Sequence, residues 1–394
     1  MPGRRCGVWI AIALAVAVAT AVAMREDDAP PRAVGAPAAD AADTAMPPPA
    51  PARPSAPGDG RAPLPSAETQ TLETEQHAMR AAYHRALRAR LAALAARGDA
   101  EAALERALLT PLLERGPWPH VDADTRAALR EAAERAPGDP LVAWMEAVVC
   151  RPAECPRAVA RLLRVDGDNA AAWLLAAGIA ASLDDRAQAL ERLQRAVLAP
   201  HHVARGEAAM QAAWRALEPV ALPPPSPALH RALARMLPDL PAPDAATQRG
   251  LLASTAGPRW SGLQRGSAWG VLCDPTAMRA AVRRDLCLRA YALQARSTVL
   301  VERQAALLFL CRHTAGTPEH RLWREPLRET LWLVYLTRTR FFLRADLTAT
   351  IARFGSLEGT RRFVRAQGLS DRPPPGWLPS LSHERALVLG QVPP

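Results

Sequence analysis

The stretch from Pro137 to Pro200 most constrains what this chain can fold into. Pro140-Leu-Val-Ala-Trp144 opens one helical hairpin, and Asn169-Ala-Ala-Ala-Trp173 opens a second just downstream. In the second, Trp173, Ala177 and Ala180 recur at helical spacing and share one face. Asp184 and Asp185 stand where an N-cap is needed, because a short carboxylate can accept from the unpaired N–H groups of the next helix. That helix carries Ala189, Leu190, Leu193, Ala196 and Val197 on one stripe, with Glu191 and Arg195 four apart on the wet side. Pro200 ends it. Small residues at facing positions let two antiparallel helices approach closely.

Counted from Ala170, the residues Trp173, Asp185, Ala189, Leu193 and Ala196 resemble a tetratricopeptide repeat. The family's glycine falls one place late, at Gly178, and its closing proline one place early. The resemblance covers roughly 34 residues, one repeat unit. The preceding unit matches at Trp144 and around Ala158 to Val165. Such repeats stack side by side, because each leaves an apolar face for its neighbour. The resemblance implies binding of peptides or partner proteins.

No residue pattern alternates with period two over any sustained length, so the expected class is all-α. Helices are expected over 69–96, 100–114, 124–135, 204–217, 298–312 and 319–343, with a short one near 383–389 and another between the proline clusters at 223–227 and 238–243. The expected organisation is a signal peptide or single transmembrane anchor over 1–25, then a disordered Pro/Ala-rich linker over 26–67. A helical, repeat-like domain over 68–222, a basic helical domain over 226–370 and a Pro-rich tail over 371–394 complete it. Arg4 and Arg5 precede the apolar run Gly7 to Met24, which places the body on the far side of the membrane under either reading of that run. The Ala21-Val22-Ala23 triplet fits cleavage, whereas a spacer directly after the run fits an anchor that stays. The expected location is therefore periplasmic, either tethered to the inner membrane or free after cleavage.

An exported chain with 6 cysteines is expected to form disulfides. Cys6 belongs to the targeting segment. Cys150 and Cys155 flank a turn broken by Pro152, and a bridge there closes a short loop worth about 2 kcal/mol in chain entropy. Cys273 and Cys287 are the second expected pair. An unbroken helix from Pro275 would carry Cys287 about 18 Å away, so the pairing demands a break, for which Arg283 to Asp285 is the candidate. Cys311 is left as a buried thiol.

The basic residues number 49 and all are arginine. Residues 226–394 hold 24 Arg against 12 acids, and residues 1–225 hold 25 Arg against 27, so the net +10 sits in the C-terminal half. Arg338, Arg340, Arg344, Arg361, Arg362 and Arg365 form a candidate anion patch, with Arg340/Arg344 and Arg361/Arg365 each spaced to share a helix face. Anionic lipid or an envelope polyanion suits such a patch, whereas export and the lack of interleaved aromatics argue against nucleic acid.

Motif-borne chemistry is sparse. Cys311, His313 and His320 lack the ligand spacing of a zinc site, and His201-His202 reads as a helix-end pair. Gly266-Ser267-Ala268-Trp269-Gly270 does not have the register of a nucleophile elbow. Asp166-Gly-Asp-Asn169 reads as a turn rather than a calcium loop, since the later acids are missing. Glu68, Glu73 and Glu75 sit where acids favour a helix start. Trp323 and Trp332 are expected in the core. No cofactor is expected. The leading expectation is a non-catalytic interaction or scaffold module. The alternatives are an anion-binding module and an enzyme whose site is assembled from distant residues.

Overall fold

The computed structural model describes residues 66–113, 123–224, 244–260, 267–341 and 344–391. The expected targeting segment, most of the linker, the helix between the two proline clusters and Cys6 lie outside them. The described residues are all-α: helices and short 3-10 turns, with one isolated parallel bridge between Asn169 and His201 and no strand. Among them, no helix is long and apolar enough to cross a membrane.

The first half is a run of helices with short connections. Helix α1 spans Ser66–Arg97, α2 Ala100–Leu109 and α3 Ala123–Arg135. Helix α4 spans Pro140–Val149, α5 Cys155–Val165, α6 Ala170–Ser182, α7 Arg186–Ala196 and α8 Arg205–Leu217. Local chemistry sets the starts. Asp99 accepts from the Ala102 N–H at 2.8 Å, Asp139 from Leu141 and Val142 at 2.7 and 3.1 Å, and Asp185 from Gln188 at 3.0 Å. Pro140 takes the first helical position of α4, where its missing N–H costs nothing. Neighbours in sequence pack as neighbours in space: α2 on α3, α3 on α4, α4 on α5, α5 on α6, and α6 on α7. Helix α6 is buried nearly all round, from Ala170 to Ala180. Its alanines let α5, α7 and the segments described below close on it from several sides.

Helix α9 spans Ala245–Trp260, α10 Ala281–Gln294, α11 Leu300–Thr314 and α12 His320–Thr339. Helix α13 spans Ala345–Phe354, α14 Ser356–Ala366 and α15 Ser382–Leu389. Residues 78–394 form one compact unit. Its largest apolar cluster crosses the boundary expected near 223–226, joining Leu108, Leu129 and Leu217 with Ala253, Trp260, Ala349 and Ala352. Helix α9 sits between α8 and α13, and Gly250 makes this possible: a Cβ there would lie 2.2 Å from the Ala349 Cα.

Three details differ from the sequence expectation. The break between Cys273 and Cys287 lies at Ala280 rather than at Arg283–Asp285, which fall inside α10. Asp274 caps a 3-10 turn, Ala277–Arg279, by accepting from the Ala277 N–H at 2.7 Å, and Ala280 then turns extended (ψ 121°) before α10 starts. Helix α12 ends at Thr339, so Arg340 caps one helix and Arg344 another, and the two do not share a helix face. The Pro-rich tail docks on the body. Arg328 donates to the Trp377 and Pro374 carbonyls at 3.1 and 2.6 Å, Trp332 Nε1 donates to the Ser370 carbonyl at 3.0 Å, and Leu387 and Val388 enter the α11–α12 core.

Both cysteine pairs are joined, Cys150 to Cys155 and Cys273 to Cys287, with Cα atoms 5.0 and 5.8 Å apart. Cys311 is a buried free thiol, and burial pushes its pKa up to about 12.

Candidate functional site

The faces of α4 and α6 are covered by other segments of the chain. The Trp144 indole on α4 is buried and donates to the Trp260 carbonyl at the end of α9, at 2.8 Å. The face of α6 that carries Leu174, Ala177 and Ala180 is covered by the 3-10 segment Ser267–Cys273, through Trp269, Leu272 and Cys273. The Cys273–Cys287 bridge ties that segment to α10. An aromatic series continues from it, with ring centroids 4.7 Å apart for Trp269 and Tyr291, 3.7 Å for Tyr291 and Phe309, and 4.3 Å for Phe309 and His313. Trp173, expected on this buried face, is half-buried and donates to the Gly167 carbonyl at 2.6 Å. Helices α5 and α7 each keep one side towards solvent, although α7 also packs on the 267–273 segment and α10. Arg157 and Arg164 on α5, and Gln188, Glu191, Gln194 and Arg195 on α7, are exposed.

The turn before α6 is held by a buried polar clasp. Asn169, the chain's one asparagine, is fully buried. Its Nδ2 donates to Asp166 Oδ2 and to the Val203 carbonyl, each at 2.9 Å, and its Oδ1 accepts from the Ala171 and Val203 N–H groups at 3.1 and 2.9 Å. Arg205 then closes on Asp166 with two contacts, at 2.6 and 3.0 Å. All four hydrogen-bonding positions of the amide are used, so the clasp is a structural device. His202, beside it, is held neutral: burial pushes its pKa down to about 4.

The expected anion patch is partly neutralised from within. Arg344 grips Asp346 at 2.6 and 2.8 Å, Arg362 meets Glu358 at 2.7 Å, and Arg365 lies 3.5 Å from Glu358 and 3.7 Å from Asp371. Arg362 also stacks on Phe354, its Cζ 4.4 Å from the ring centroid, and Arg353 stacks on the same ring at 5.0 Å. Arg338 and Arg340 are exposed at the end of α12, and Arg361 is half-buried on α14. Arg361 and Arg365 share a helix as expected, whereas Arg340 and Arg344 do not.

A second polar cluster was not anticipated. Glu207 in the first turn of α8 accepts from the Ser356 N–H at 2.5 Å and from the Thr298 hydroxyl at 2.6 Å, capping α14 from 149 residues away. Ser297 Oγ donates to Glu302 Oε2 at 2.8 Å, Ser356 Oγ accepts from the Leu300 N–H at 3.2 Å, and the Thr298 carbonyl accepts from the Leu357 N–H at 3.0 Å. Gly355 makes the approach possible. Its φ is +87°, and a Cβ there would stand 3.1 Å from Glu207 Oε2. Burial raises the pKa of both carboxyls. Glu207 is partly compensated by its two donors, whereas Glu302 reaches about 7 through burial, offset by Ser297 and reinforced by the charge of Glu207. The sequence did carry one signal for it: Glu302 is the lone acid in the apolar run from Val299 to Leu310. Among the described residues no group of three or more His, Cys, Asp and Glu side chains is placed to hold a metal ion.

The chain matches no family model, no curated protein and no solved structure.

Proposed function

We propose that this protein is an exported, non-catalytic interaction module that meets its protein partner on the outer face of the α4–α7 hairpins. The observation that supports this reading is the distribution of coverage across the hairpins. The inner faces of α4 and α6 are packed against α9 and the 267–273 segment, while α5 and α7 present exposed arginine, glutamine and glutamate side chains. Interfaces of this kind carry few deeply apolar anchors and bind transiently. Two disulfides support an oxidising compartment, consistent with the Arg4–Arg5 flank of the apolar run. The test is photo-crosslinking in the native envelope, with the crosslinking residue at Arg164 or Gln194 and a control at Arg353 on α13. A discrete adduct from the first two positions and none from the third supports the reading. Adducts confined to the control would move the contact to the C-terminal hairpin.

A second reading, docking of the α12–α14 arginines on anionic lipid or another envelope polyanion, draws support from the exposure of Arg338, Arg340, Arg353, Arg362 and Arg365. Exposed ion pairs such as Arg362–Glu358 are worth only about 0–1 kcal/mol and can be exchanged for an outside anion.

A further inference from the structure

We propose that the Pro-rich loop from Arg372 to Leu381, together with Tyr335 of α12, enters the interface of an anionic lipid bilayer, which rests on the anionic-lipid reading of the neighbouring arginines. The loop reads Arg-Pro-Pro-Pro-Gly-Trp-Leu-Pro-Ser-Leu. Leu378 and Leu381 are 38% and 46% exposed, and Tyr335 is 36% exposed. Trp377 joins α12 in one aromatic cluster, its ring centroid 5.2 Å from Trp332 and 5.9 Å from Tyr335. Tyrosine and tryptophan each carry an apolar ring with one polar end, which suits the level of the lipid headgroups.

A loop that leaves water must find partners for its backbone polar groups inside the protein. Pro373, Pro374, Pro375 and Pro379 have no N–H to leave unpaired. Arg328 donates to the Pro374 and Trp377 carbonyls at 2.6 and 3.1 Å. Arg385 donates to the Pro379 and Ser380 carbonyls at 3.1 and 3.3 Å. Two guanidinium groups thus occupy four carbonyls of the loop, while Leu378 and Leu381 stay exposed. The charge around the loop selects the kind of bilayer. Arg372 is exposed at its start, and Arg338 and Arg340 are exposed at the end of α12. Arg365 lies 3.7 Å from Asp371, which joins the loop to the arginine-bearing α14. Glu325 is paired with Arg328 at 3.0 Å. The leucines and Trp377 enter the boundary between headgroups and acyl chains, and the arginines meet the lipid phosphates.

The test mixes the full chain with vesicles of phosphatidylglycerol and phosphatidylcholine whose acyl chains carry bromine, which quenches an indole only at close range. The chain has 10 tryptophans, so the readout is the difference in quenching between the parent and Trp377→Phe. Part of the parent's quenching should be lost in Trp377→Phe. Leu378→Asp with Leu381→Asp, at exposed positions, should lose the same part while urea unfolding stays unchanged. Equal quenching of parent and Trp377→Phe, with salt-sensitive sedimentation of the parent retained, would overturn the loop's entry and leave the arginine docking standing. Loss of both signals would overturn the two together. The same Trp377 quenching on vesicles of phosphatidylcholine alone would overturn the choice of an anionic bilayer. A discrete envelope protein crosslinked from position 381, without quenching, would assign the loop to a protein partner and likewise overturn the proposal.

Discussion

Asn169→Ala tests the packing of the hairpins most directly. The parent amide makes four hydrogen bonds at full burial: two from Nδ2, to Asp166 and the Val203 carbonyl, and two to Oδ1, from Ala171 and Val203. Alanine removes all four. The Ala171 N–H loses its cap, worth about 1 kcal/mol. The N–H and C=O of Val203 lose their side-chain partner, and a buried group left unpaired costs about 1–3 kcal/mol. Asp166 keeps Arg205. Backbone relaxation and water recover part of this, so the expected loss is about 3–5 kcal/mol. Asn169→Asp, nearly identical in shape, should do comparable damage at neutral pH, because it turns a carboxylate oxygen towards Asp166 and a carbonyl. Burial and the negative neighbour raise the new carboxyl's pKa, so this variant should regain stability as pH falls towards 4. Urea unfolding followed by far-ultraviolet circular dichroism measures the loss, and exchange at the Ala171 and Val203 amides locates it. An Asn169→Ala protein within about 1 kcal/mol of the parent would refute the clasp.

Other substitutions separate the remaining structural claims. Trp144→Ala, at a buried site with a satisfied indole, should cost about 3–5 kcal/mol, and Trp173→Ala, at a half-buried one, clearly less; equal losses in thermal or urea unfolding would mean that Trp173 is as deeply buried as Trp144. Peptide mapping without reductant should recover Cys150 linked to Cys155 and Cys273 to Cys287, with Cys311 alkylated only after unfolding; a Cys287–Cys311 peptide would contradict the chain path through Ala280. If the C-terminal hairpin docks on anionic lipid, Arg361→Glu with Arg365→Glu should abolish salt-sensitive co-sedimentation with anionic vesicles, each arginine contributing about 1 kcal/mol near the surface. Equal sedimentation of parent and variant would identify these arginines as a solvated face, with Arg365 paired internally.

How much of this was legible in the sequence depends on the range of the interaction concerned. Helix starts at Asn169 and Asp185 could be read because a cap acts within three residues. The Cys150–Cys155 pairing was legible for the same reason. The Cys273–Cys287 pairing followed from requiring a break, but the position of that break did not. It rests on Asp274 capping a short 3-10 turn instead of a full helix, a choice settled by how Met278 and Leu272 pack under α6 and α10. Arg340 and Arg344 show the limit of spacing arguments, since four residues apart implies one face only if no helix ends between them. Glu207 could not be paired with Ser356, nor Asn169 with Val203, because sequence holds no trace of contacts made only when distant segments close on each other.

The same long-range closures bear on what the hairpins can bind. A stack of helical pairs ends with an exposed apolar face unless something caps it. In this chain, α8 turns away after Pro200 to pack on α2, α4, α9 and α13. The place beside α6 falls to the Ser267–Cys273 segment, which brings a fully buried Trp269 and a disulfide to α10. Anything binding to this face of α6 would have to displace a covalently tethered apolar segment, forfeiting the burial of one tryptophan and one leucine, roughly 3–6 kcal/mol before any gain of its own. The exposed side chains of α5 and α7, Arg157, Arg164, Gln188, Glu191, Gln194 and Arg195, carry no such cost. The proposed contact of a partner with the exposed side chains of α5 and α7 needs no such displacement.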